Sequence, residues 1–84
     1  MTPSGLRVDA SLDIRGLQGP VGYQQAIERL REMRENDVLE LHLNDDESLR
    51  TITFGLRAEG HEILVSEPAK AGVRLLVRKR ALVT

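Results

Sequence analysis

Leu12-Asp13-Ile14-Arg15-Gly16-Leu17-Gln18-Gly19-Pro20-Val21-Gly22 is the stretch in which the hydrophobic period of this chain changes, and that change decides the fold. Upstream and into it, Leu6, Val8, Ala10, Leu12 and Ile14 alternate with Arg7, Asp9, Ser11, Asp13 and Arg15. Alternation of this kind predicts a strand with one buried and one wetted face. Downstream, Tyr23, Ala26, Ile27, Leu30 and Met33 recur at helical spacing, with Glu28, Arg29, Arg31, Glu32 and Arg34 on the outer side. Gly16 and the Gly19-Pro20 pair punctuate the junction. Pro20 suits a first helical turn, where an N–H would have found no partner. Asn36-Asp37 is expected to end this helix.

The same reading extends to the C-terminus. Val38–Leu43 predicts a second strand, with Leu39, Leu41 and Leu43 inward and Glu40 and His42 outward. Asn44-Asp45-Asp46 follows, and either aspartate could cap a second helix whose apolar stripe is Leu49, Ile52 and Leu56. Gly60 is a suitable stop. Phe54 lies off the stripe and is a candidate interface contact. Residues 63–67 and 73–79 predict two more strands, with Pro68-Ala69-Lys70-Ala71-Gly72 as a five-residue hairpin loop. The order is β-α-β-α-β-β. In so short a chain both helices must cover one face of a four-stranded mixed sheet, giving an α+β two-layer sandwich. The first two strands should be parallel through a right-handed crossover and the last two antiparallel. Asp9, Ser11, Asp13, Glu40, His42, Glu62, Arg74 and Arg78 would share the open sheet face.

Composition narrows the function. Eighty-four residues make a single domain with one modest core, spanning about residues 6 to 80. Twelve basic against thirteen acidic residues give a net charge of -1, so nothing draws the chain in bulk to nucleic acid or anionic lipid. Tyr23 and Phe54 are the only aromatics, too few for base-stacking platforms. The chain has no cysteine, which excludes disulfides, thiolate metal sites and thiol catalysis. No apolar run approaches the roughly 20 residues that cross a bilayer. Met1-Thr2-Pro3-Ser4-Gly5 lacks a basic region followed by an apolar segment, so a cytoplasmic protein is expected.

The junction resembles the signature of the TusA/SirA-like sulfur-carrier family, Leu-Asp-x-x-Gly-Leu-x-Cys-Pro-x-Pro. Leu12, Asp13, Gly16, Leu17 and Pro20 match it; Gly19 stands at the cysteine position and Gly22 replaces the second proline. The resemblance continues through the Asp45-Asp46 pair, although Glu47 replaces a proline common there. It includes Ile52 and Leu56, with Thr53 where a proline often stands, then Gly60-His61 and Val77-Arg78-Lys79. Residues 12–79 are covered in order. The resemblance implies the same two-layer sandwich. It also implies a relay of persulfide sulfur from a cysteine desulfurase, with the cysteine at a helix N-terminus whose free N–H groups stabilise a thiolate.

Gly19 offers no sulfur. The expectation is therefore a non-catalytic binding or regulatory module, not an enzyme, that meets a cysteine desulfurase or another sulfur-relay protein through residues 16–22 and the adjacent helix. Partner or anion-binding candidates are Asp13, Arg15, Gly16, Gly19, Pro20 and Gly22. An alternative is a sulfurtransferase whose cysteine has been exchanged for glycine. A second is an RNA-binding module, since the family fold resembles the C-terminal domain of a bacterial translation initiation factor. Its local support is the basic cluster Arg74, Arg78, Lys79 and Arg80. Asp45, Asp46, Glu47, His42 and His61 show no recurring ligand spacing and suggest no metal site. No cofactor is expected.

Overall fold

The computed structural model describes residues 7–80 and has two layers: four strands and, on one face of their sheet, two helices. The elements are β1 (Ala10–Asp13), α1 (Gly19–Arg31), β2 (Val38–Leu43), α2 (Glu47–Ala58), β3 (Glu62–Ala69) and β4 (Gly72–Arg78). The sheet order is β1-β2-β4-β3, with β1 parallel to β2 and β4 antiparallel to both neighbours. The expected α+β sandwich is therefore present.

Strand β4 lies inside the sheet, between β2 and β3. Val73, Leu75 and Val77 are buried toward the helices, and Leu76, 3% exposed, is buried on the other side. Core residues Ile14, Ala26, Ile27, Leu30, Leu39, Leu41, Leu43, Ile52 and Leu56 close the space between sheet and helices.

Several boundaries depart from expectation. The alternation before Ala10 does not make strand: Val8 is exposed, because β2 begins only at Val38 and offers no ladder further back. Asp9 closes the pairing, its N–H donating to the Val38 carbonyl at 2.9 Å and its carboxylate accepting from the Val38 N–H at 2.8 Å. Leu6 lies outside the described residues. Helix α1 ends at Arg31 and not at Asn36-Asp37; Met33 still packs on the core, but from a turn in which its N–H meets the Leu30 carbonyl. Asn36 adopts φ 77° there and its N–H reaches the Lys79 carbonyl.

The last hairpin is tighter than predicted. Its connector is Lys70-Ala71, with Ala71 at φ 66°, so Pro68 and Ala69 belong to β3. Gly72 is obligatory: at φ 148° a Cβ would run into the Leu43 carbonyl oxygen. Pro68 is tolerated because β3 is an edge strand, where a missing N–H costs little. A bulge between Ile63 and Val65 further irregularises that strand.

Helix α2 follows its sequence signals. The Asp46 carboxylate accepts from the Ser48 N–H at 2.8 Å as the N-cap. At the other end Gly60, φ 95°, donates to Arg57 and His61 to Leu56, a Schellman closure.

Candidate functional site

The β1-to-α1 junction is held by short-range bonds. Arg15 donates its backbone N–H and Nε to Asp13 Oδ1, at 3.1 and 2.9 Å, and a terminal nitrogen to Oδ2 at 2.7 Å. These bonds from Arg15 hold the Asp13 carboxyl far below the usual carboxylate range. Gly16 then reverses the chain at φ 87°, a conformation that disfavours any residue with a Cβ. Gln18 is the N-cap in extended geometry, without a side-chain bond. Gly19 and Pro20 open α1, whose first turn carries no acidic residue.

The two glycines of this turn differ in role. Gly22 is buried, and its N–H is committed to the Gln18 carbonyl at 2.8 Å. A Cβ there would stand 3.3 Å from Ile14 and 3.4 Å from Ile52, so glycine lets α1 approach β1 and α2 closely. Gly19 is half-buried, and a Cβ on it would meet Thr51 at 3.6 Å, ordinary contact. Across the interface Gly55 admits the Tyr23 ring: a Cβ at Gly55 would lie 2.5 Å from it. The Tyr23 hydroxyl donates to the Gly55 carbonyl at 3.4 Å.

Two depressions meet along this helix pair. One, about 380 Å³, is lined by Gln18, Gly19, Pro20, Asp46, Glu47, Ser48 and Thr51. It contains two carboxylates and no cation, so its electrostatics disfavour a free anion. The other, about 320 Å³, is a nearly all-apolar groove between Pro20, Tyr23, Thr51, Phe54, Gly55 and Ala58. Phe54 rises at its rim, 75% exposed. Thr51 and Ala58 were not singled out from sequence; the available signal was Phe54 itself, placed on the polar side of the α2 stripe.

The remaining candidates lie elsewhere. Arg74 bridges Glu40 and Glu67 on the open sheet face, and Arg78 pairs with Glu62 at 3.4 Å. Lys79 instead caps the Met33 carbonyl at 2.8 Å, and Arg80 donates its N–H to His61 Nδ1 at 3.1 Å. The basic cluster is thus divided: Arg74 and Arg78 pair with carboxylates of neighbouring strands, Lys79 meets a backbone carbonyl, and a terminal nitrogen of Arg80 reaches Asn36 Oδ1 at 3.4 Å. Glu40 also accepts from Ser11 and stands 3.3 Å from His42. The Arg74 bond, opposed by burial and aided by Ser11 and His42, keeps Glu40 below the ordinary carboxylate value.

This architecture, with an exposed strand-to-helix turn opening α1, defines a class of small two-layer domains. Within that class the profile of the family described as Sulfurtransferase TusA matches residues 10–79, and the chain belongs to that family. Membership connects it with sulfur trafficking. The solution structure of HP1264 from Helicobacter pylori is similar, with a TM-score of 0.63 at 24% identity, covering 84% of this chain and 97% of that one. At that identity the likeness is one of fold. No curated protein matches the chain. No helix among the described residues is long and apolar enough to cross a membrane.

Proposed function

We propose that this chain is a TusA-family binding module without sulfur-transfer activity, and that it meets a sulfur-relay protein through the start of α1 and the adjoining face of α2. One observation carries the reading: the junction is fully formed, with Gly16, Gln18 and Pro20 exposed, yet Gly19 occupies the first helical position and the chain contains no cysteine. Carriage of a persulfide requires a thiolate, and no other side chain here can bear transferable sulfur. The surface that would present such a sulfur is retained, with Pro20 exposed beside Gly19.

The partner proposed is a cysteine desulfurase or another relay protein of that chemistry. Pull-down followed by calorimetric titration with a desulfurase tests this. A saturable complex, with no sulfur acquired by the wild-type chain, is expected; absence of binding to any sulfur-relay protein overturns it.

The alternative of a carrier whose cysteine has been exchanged has one observation in its favour, the room beside Thr51 for a side chain at position 19. Gly19→Cys should fold, and treatment with a loaded desulfurase should move one sulfur atom from the desulfurase persulfide to the new thiolate. Mass spectrometry reads the gain. A native gene encoding Gly19 removes that alternative.

A further inference from the structure

Phe54 is the most exposed large apolar side chain among the described residues, and its surroundings are not those of a stray surface residue. Arg50 lies one turn before it on α2 and Arg57 one turn after, so the three form a stripe on one helix face. Neither arginine makes an ion pair among the described residues, whereas Arg15, Arg29, Arg74 and Arg78 all do. Beside the stripe runs the apolar groove whose floor is set by the close packing of Gly55 against Tyr23. At about 320 Å³ it has room for one large apolar side chain but not for a whole helix. Aromatic and arginine side chains around a small pocket are the usual composition of an interface hot spot.

We propose that the Arg50–Phe54–Arg57 stripe and the α1–α2 groove form a docking surface for an acidic protein segment, which inserts one apolar side chain beside Phe54 and sets carboxylates against the two guanidiniums. The proposal rests on the functional reading above, whose partner it describes chemically; Pro20 and Thr51 line both this groove and the depression beside Gly19. Charge selects the occupant. A second copy related by a two-fold axis at Phe54 would gather four guanidiniums around that axis, a like-charge arrangement that opposes pairing. Asp45 and Asp46, at the start of α2, line one depression with Arg50, Phe54 and Arg57 and stand nearer along the helix to Arg50, so Arg57 is the less compensated of the two guanidiniums.

The test titrates the ¹⁵N-labelled 84-residue chain with a synthetic peptide carrying one leucine among glutamates, with its lysine counterpart, and with a version in which serine replaces the leucine. The acidic leucine peptide should shift the amides of Tyr23 and residues 50–58, binding at least about tenfold tighter than either control. Phe54→Ala, and separately Arg50→Glu with Arg57→Glu, should each weaken it at least about tenfold with unchanged melting temperature. Equal binding of the lysine peptide, shifts elsewhere, co-sedimentation with anionic phospholipid vesicles through Phe54, or a Phe54-dependent dimer overturns the proposal. A desulfurase complex that survives Phe54→Ala also overturns it and leaves the functional reading standing. Peptide binding at this face without any desulfurase complex does the reverse.

Discussion

The Arg80 backbone N–H donates to His61 Nδ1 at 3.1 Å, so the imidazole must present a lone pair there. Partial burial chiefly, then the Lys79 cation, pushes the His61 pKa below its ordinary 6.5. A base whose pKa falls on folding takes up protons more readily when unfolded, so stability rises with pH across that interval. The contribution is complete above about pH 6.5 and is lost as acid brings the folded imidazole to its own lower pKa. The urea midpoint of the wild type should therefore fall between pH 7 and pH 5, and His61→Gln, which keeps an acceptor without a titration, should flatten that slope. An unchanged slope in the variant would assign the dependence elsewhere. From sequence, His61 was only the residue after a helix stop, because Arg80 reaches it across the fold.

Between the helices, glycine and aromatic ring are matched. Gly55→Ala gains helix propensity but drives a methyl into the Tyr23 ring, for a net loss of about 1–2 kcal/mol. Adding Tyr23→Ala should make the second substitution at Gly55 nearly harmless, a coupling that a double-mutant cycle in urea measures. In the last hairpin, Ala71→Gly should raise stability by about 1 kcal/mol, since alanine at φ 66° carries the left-handed penalty. Element types were legible because each segment declares its period: alternation at Leu39, Leu41 and Leu43, helical recurrence at Ile52 and Leu56. Element ends were less so. Where β1 starts depends on where β2 supplies a partner, and where α1 stops depends on Asn36 meeting Lys79, neither of which is local. The junction itself was readable from Gly16 and Pro20, whereas the packing role of Gly22 required its neighbours Ile14 and Ile52.

Across the whole molecule, the sheet face without helices is covered by its own charges. Arg74 joins β2 to β3 over β4 through Glu40 and Glu67, and Leu76 lies buried in their midst. Arg74→Ala leaves two carboxylates facing each other without a counter-charge and should cost about 1–2 kcal/mol near neutral pH. Acid should shrink that difference only as pH falls through the lowered pKa of Glu40, so urea midpoints of wild type and variant should draw together below the ordinary carboxylate range and not above it; a constant gap would mean the loss is one of packing. In the sequence Arg74 and Arg78 looked available to a phosphate. Their partners Glu67 and Glu62 sit on a neighbouring strand whose bulged register could not be read from periodicity. Edge strand β3 has one further consequence. Pro68 brings no N–H to it and the break at Val65 disturbs its ladder, so another polypeptide cannot readily extend the sheet from that side. Association there cannot rely on sequence-blind backbone pairing; it is left to side chains, and its selectivity becomes adjustable one residue at a time.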